Sequence, residues 1–221
     1  EVCRYLTTQK MWLEVMDCNP SKFEGPYKPV DSVTWWEALE FCNKLSEKYN
    51  LEPVYDLSKS KQGLLTIKEL KGKTVNPKIA NFKNTEGFRL PTEVEWEWFA
   101  RGGQIAIEEG TFDYTYSGSN NINEVAWYYE NSGAKNEEGT TQNVGLKEAN
   151  QLGLYDCSGN ISEWCFDMDK STKKNNKTVY RIIKGGSWFS EASWCSVLPR
   201  FCYNSIYSSK EIGFRIVRTF Q

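Results

Sequence analysis

Histidine is absent from all 221 residues of this chain. Its absence removes the commonest general base, the histidine triads, and any iron or zinc site that depends on imidazole. The seven cysteines (Cys3, Cys18, Cys42, Cys157, Cys165, Cys195, Cys202) are odd in number and include no CxxC pair. Zinc-ribbon spacing is therefore missing and no disulfide pairing follows from the sequence. Free buried thiols acting as small hydrophobes are the simplest role for most of them. A large excess of one charge sign is also missing: 27 basic against 29 acidic residues leave a formal net charge of −2, which argues against nucleic acid as a partner. No apolar run is long enough to span a bilayer, so a signal or lipid anchor would have to lie upstream of Glu1.

Aromatic residues, in contrast, are abundant. Nine Trp, 12 Tyr and 11 Phe stand in a chain that is 39% hydrophobic, enough for a core with rings to spare for other work. Nothing resembles a linker, and the length suits one domain spanning residues 1–221.

Glu1 to Thr7 is expected as a strand, followed by a short helix to Met16 capped by Thr7 or Thr8. Thr34 is placed to cap the clearest helix, in which Trp35, Ala38, Leu39, Cys42 and Leu45 recur on one face. Pro53–Tyr55 and Gly63–Ile67 are short strand candidates, as is Glu124–Tyr128. Thr92 and Glu95 have the spacing of a capping box, and the helix they open stops at Gly102-Gly103. Arg89 is expected to form a structural ion pair with that acidic first turn. Further on, Asp156 and Glu163 flank a tight Ser-Gly-Asn turn, a spacing that could serve a hard cation but is no EF-hand loop.

The last forty residues are the least ordinary. Arg181–Trp188 and Ile212–Val217 both have strand character around glycines, while Phe189 to Ser209 has no assignable period yet is dense in rings and serines. Such a segment is either buried irregular core or an exposed recognition surface.

Five motifs then fall in register: NPSKF, PVDSVTWWEALEFCNKL, GFRLPTEVEWEWFARGG, GLYDCSGNISEWC, and RIIKGGSW followed by GFRIVR. In that order they resemble the formylglycine-generating enzyme (sulfatase-modifying factor) family across nearly the whole chain. The resemblance implies an α+β, C-type-lectin-like fold: two main helices on twisted antiparallel sheets with much ordered loop. It implies further that the two copper-binding cysteines of the active enzymes map onto Ser190 and Cys195, so only the second thiol is kept. A serine hydroxyl is no substitute for a soft thiolate on copper(I). The related iron-dependent sulfoxide synthases need histidines that this chain lacks. Neither copper nor iron is expected. A calcium site of the family maps onto Asp156, Gly159, Ile161 and Glu163, making structural calcium the expected cofactor.

A non-catalytic branch shares this domain: the variable proteins of diversity-generating retroelements, those of treponemes among them. Their C-terminal loop is diversified at AAC codons, which become NNC and can never encode Met, Trp, Gln, Lys or Glu. None of those five residues occurs from Cys195 to Ser209. The resemblance thus implies a bacterial cell-surface or outer-envelope protein, lipid-anchored through an upstream segment, whose variable region covers about residues 187–209. Its partner would be a protein or another cell-surface ligand. The contacts expected there are Phe189, Ser190, Ser193, Ser196, Leu198, Phe201, Tyr203, Asn204, Ser205 and Tyr207, since large rings and small hydroxyls bind varied partners at low entropic cost. Trp188, Trp194, Cys195 and Arg200 match framework positions and are expected in packing. The alternative is a copper oxidase of the formylglycine-generating type acting on a sulfatase cysteine, with Cys202 supplying the second thiol.

Overall fold

The computed structural model describes residues 1–60, 65–69, 73–76, 82–169 and 179–220. Two helices open on complete capping boxes. Thr34 accepts from the Glu37 amide while the Glu37 carboxylate accepts from the Thr34 amide, starting α2 (Trp35–Lys48) after the short α1 (Gln9–Leu13). Thr92 and Glu95 repeat the arrangement at α3 (Glu93–Ala100). Each box satisfies two amides that a helix start would leave without partners. Gly102, at φ +86°, then separates α3 from α4 (Gly103–Glu109).

Three small sheets carry the rest. The first runs β1 (Tyr55–Asp56), β2 (Thr66–Glu69), β3 (Lys73–Val75), and the second pairs β4 (Phe88–Arg89) with β9 (Val217–Arg218). The third is the sheet that positions the site. Its order is β7 (Phe201–Asn204), β6 (Tyr180–Lys184), β5 (Ser162–Met168), β8 (Ile212–Gly213), antiparallel except for the parallel β5–β8 pair. The architecture is α+β and C-type-lectin-like, as the motifs imply.

The apolar stripe of α2 lies at the centre of the core: Trp35, Ala38, Leu39 and Cys42 are fully buried with Trp164, Phe41 and Phe214. Two indoles there also find acceptors. Trp35 donates to the Cys165 carbonyl at 2.9 Å and Trp164 to that of Val33 at 3.1 Å, so burying these rings strands no N–H. A second cluster gathers Trp96 and Phe99 of α3 with Cys165, Ile182 and Val197.

Several local expectations change. The chain from Glu1 to Thr7 is tied to the C-terminal stretch by Cys3 N–H to the Ile216 carbonyl and Thr7 N–H to that of Phe214, but only the Val2–Val217 bridge is ladder-like. Glu124–Tyr128 is not a strand: Asn121 caps a helical turn, α5 (Ile122–Val125), which consumes its first half. Along α3, Val94 and Trp98 face solvent while Trp96 and Phe99 are buried. β1 begins at Tyr55, and β2 begins at Thr66, while residues 63–64 of the expected Gly63–Ile67 strand lie outside the described residues. The largest gain over the sequence reading is β7, inside the segment that shows no period. Its partner β6 holds it in register from Tyr180–Asn204 to Ile183–Phe201.

Candidate ligand-binding surface

The segment leaving β6 turns at once. Gly185 and Gly186 sit at φ +90° and +70°, and a Cβ on Gly186 would come within 2.8 Å of both the Cys195 Sγ and the Trp194 carbonyl oxygen. Only glycine lets the two legs of this turn approach so closely. Trp188 is buried next, its amide donating to the Asn160 carbonyl and its indole to that of Lys210 at 3.1 Å. From there the chain is irregular but pinned repeatedly. Tyr129 N–H donates to the Ser190 carbonyl, Val197 N–H to that of Thr115, and the buried Lys184 ammonium to that of Leu198 at 2.8 Å. Arg200 pairs with Glu93 at 3.2 Å and Asp169 at 2.9 Å. These bonds account for the loop's polar backbone without a long regular element.

On this frame the rings point outward. Phe189, Leu198, Phe201, Tyr203 and Tyr207 are all exposed, Leu198 by 65%, and Ser193 is exposed with them. Ser190, Ser196 and Asn204 are half-buried. Phe201 and Tyr203 share one face of β7 because strand side chains alternate, which places Cys202 on the opposite face.

Ser205 is the correction among the ten expected contacts. It is buried, and its hydroxyl accepts from the Trp36 indole at 3.3 Å, so it anchors the end of β7 instead of facing a ligand. Two framework assignments change in the other direction. Trp194 is 44% exposed and packs on Phe201 with ring centres 4.7 Å apart. Arg200 is exposed as well, though its charge is used in the two ion pairs above. Trp188 and Cys195 are buried, as framework residues should be.

These rings border a pocket of about 180 Å³. Trp194, Phe201, Tyr203 and Tyr207 form its walls, and Tyr203 and Tyr207 stack at 4.8 Å. Ser162, Ser187, Ser190, Ser209, Ile183, Ile212 and Glu211 complete the lining. Glu211, Trp194 and Ile206, which precedes Tyr207 and is 70% exposed, are absent from the sequence-based set. Glu211 lies in the turn before β8, where no periodicity marks it, and nothing in the sequence separates Trp194 from the buried tryptophans. Burial raises the Glu211 carboxyl pKa above the usual range, against the lowering effects of Lys210 and the Ser187 hydroxyl. Among the described residues Glu211 has no ion-pair partner within 4.0 Å.

The pair of positions that would hold copper is arranged differently from a two-thiolate site. The Ser190 hydroxyl accepts from the Ser187 amide at 2.9 Å. Cys195 is fully buried, and burial pushes its thiol pKa up to about 12, the reverse of what a thiolate ligand needs. Cys202, on the other face of β7, is turned away from the pocket.

The expected calcium ligands do not fit a cation either. Glu163 is wholly buried against Arg215, whose Nε lies 3.3 and 3.1 Å from its two carboxylate oxygens and whose Nη2 reaches one of them at 3.1 Å. Asp156 uses one oxygen to accept from the Gly145 amide at 2.8 Å and the other to accept from the Asn160 side-chain amide at 3.2 Å. The Gly159 carbonyl accepts from the Ile161 amide. A calcium ion on Glu163 would sit against a guanidinium, and the charge that the motif assigns to a metal is supplied by Arg215.

Comparison with known proteins identifies the family. The model of the sulfatase-modifying factor enzyme 1-like domain matches residues 3–220. The chain is 38% identical to the chaperone protein LppX of Paenibacillus barcinonensis, over 98% of this chain and 79% of that protein. It is 33% identical to the formylglycine-generating enzyme of Thermomonospora curvata over 58% of this chain and 48% of the enzyme. Among solved structures, Treponema denticola variable protein 1 superposes with a TM-score of 0.73 at 32% identity, covering 96% of this chain and 83% of that one. With one family model spanning almost every residue, the chain belongs to the formylglycine-generating enzyme (sulfatase-modifying factor) family.

Proposed function

We propose that this protein is a non-catalytic member of its family, a receptor-like or adhesin-like binder whose ligand surface is the exposed ring cluster between Phe189 and Tyr207. The observation that carries the reading is the contrast within one segment. Its backbone is fixed by buried partners, while seven large apolar side chains, Phe189, Trp194, Leu198, Phe201, Tyr203, Ile206 and Tyr207, stay in solvent. Monomeric proteins rarely leave such a set together on the surface unless something binds it. Aromatic anchors on a rigid base lose little entropy on binding. The variable protein of Treponema denticola and the chaperone LppX, both similar over nearly the whole chain, support a binding role. On the same reading the surface has been diversified by a retroelement acting on AAC codons, and the protein is displayed on a bacterial envelope through an upstream lipid anchor.

Formylglycine-generating enzymes are also relatives, so oxidase activity is the reading to exclude by experiment. The protein is incubated with copper(I), oxygen and a cysteine-containing sulfatase peptide, and the peptide is weighed by mass spectrometry. No formylglycine is expected, because Ser190 and the buried Cys195 do not make a two-thiolate site. Turnover, even slow, would remove the binding-only reading.

A further inference from the structure

The pocket enclosed by the ring cluster has a chemical signature that narrows its ligand. Four aromatic side chains wall it: the tilted pair Trp194–Phe201 and the stacked pair Tyr203–Tyr207. Glu211 is the only charged residue among the described residues that line it, and the remaining polar groups are neutral serine hydroxyls. No lysine or arginine is among the described residues that line the pocket, so an anionic ligand would meet a like charge with no cation in the lining to pair with.

A half-buried carboxylate without an ion-pair partner is costly to the fold, and a bound cation would relieve that cost. The Lys210 ammonium acts on Glu211 only at a distance, forming no ion pair within 4.0 Å, and lies 5.0 Å from the Trp188 ring centre and 5.9 Å from that of Phe23. Ring faces attract cations through their quadrupoles, most of all weakly hydrated cations carrying alkyl groups. An ordinary apolar ligand would explain the rings but not Glu211. A metal ion would explain Glu211 but not the rings.

We propose that this pocket binds an alkylammonium group, with Glu211 as counter-ion and Trp194, Phe201, Tyr203 and Tyr207 as the surrounding aromatic walls. The inference rests on reading the Phe189–Tyr207 surface as a binding site and names the ligand chemistry at its centre. Such a group occurs in quaternary amine head groups and in lysine side chains.

The test is a titration followed by tryptophan fluorescence and calorimetry with three probes: choline, its neutral isostere 3,3-dimethyl-1-butanol, and N-acetyl-lysine methylamide. Choline should bind about tenfold or more tightly than the neutral isostere, the scale of a desolvated cation–π contact. The ratio of choline to the lysine probe identifies a quaternary head group or a primary ammonium as the source. In Glu211→Gln the preference for choline over the isostere should collapse toward one. Trp194→Leu, which keeps apolar bulk but removes the ring, should weaken choline several-fold with the unfolding midpoint unchanged. Equal binding of choline and the isostere, or no binding of any probe, would overturn the proposal. That failure is separable from failure of the binding reading, which turns on formylglycine formation in the copper assay whatever choline does.

Discussion

Two carboxylates, one within a small sheet and one in the turn that leads into it, differ in their circumstances. Ser162 on β5 faces the pocket, pairing with Ile212, while its neighbour Glu163 faces inward, opposite Gly213. Glu163 is wholly buried, with Arg215 bonded to both of its oxygens and to the carbonyls of Cys3, Arg4 and Tyr155. Glu211, one residue before Ile212, is half-buried against rings and has no such partner among the described residues. The inner carboxylate joins the N-terminal segment, the Tyr155 loop and the last strands into one body. The outer one is held in place by that body but gives it nothing in return, as expected of a group kept for a ligand.

The comparison breaks most visibly at Arg215. Arg215→Met leaves the Glu163 carboxylate buried without a partner, and unfolding in urea should show a loss of about 3–5 kcal/mol. Glu211→Gln should cost no stability. The sign follows from its raised pKa: a carboxyl whose folded pKa is raised contributes stability below its unfolded pKa and loses that contribution as pH rises through the folded value. At neutral pH the glutamine variant should therefore be at least as stable as the parent.

Gly186→Ala comes next in size. A positive φ together with the contact to Cys195 should cost about 1–2 kcal/mol and reduce the choline response, because the turn sets the position of the pocket loop.

A smaller effect is expected at Arg89–Glu95, a two-pronged pair with both distances 2.7 Å. Burial pulls the Glu95 carboxyl upward, but Arg89 and Thr92 more than offset this and leave it below the usual range. Its stabilisation is thus present above the unfolded pKa and lost as pH falls through the depressed folded value. Glu95→Gln should lose about 1 kcal/mol at pH 7, a modest figure because the Glu95 side chain is 41% exposed and screened. Thermal unfolding across pH should show parent and variant converging in acid.

The smallest effects sharpen the comparison from the other side. Leu198→Ser and Ile206→Ser, at exposed apolar positions, should each stay within about 0.5 kcal/mol of the parent in stability while lowering ligand capture. Adding calcium or removing it with a chelator should leave the unfolding midpoint unmoved; a site filled at a hundred times its Kd would add about 2.7 kcal/mol.

Much of the frame was legible because local signals and tertiary demands agree there. Thr34 and Thr92 carry their capping partners three residues on, and the α2 stripe matches its buried face. The Arg89 ion pair was likewise readable from an arginine beside an acidic helix start. The site was less legible for the same physical reason. β7 is a strand because β6 supplies its ladder; its own Phe201-Cys202-Tyr203-Asn204 turns rings outward and gives no inward apolar pattern. Ser205 and Trp194 exchange the roles that composition suggests. A small hydroxyl is buried because Trp36 needs an acceptor, and a large ring is exposed because Phe201 and the pocket lie beside it. The Asp156–Glu163 spacing suggests a site for a hard cation, whereas the cation opposite Glu163 is the guanidinium of Arg215, more than fifty residues away in sequence.

The central claim, a fixed frame presenting a changeable binding surface, is tested most directly by sequencing this locus and its flanks in several isolates. The account predicts substitutions concentrated at the exposed positions from Phe189 to Tyr207, with Trp188, Cys195, Glu163 and Arg215 unchanged. It also predicts a near-copy of the last forty codons nearby, differing from the gene at adenines. A segment identical in every isolate, with no such copy, would contradict it.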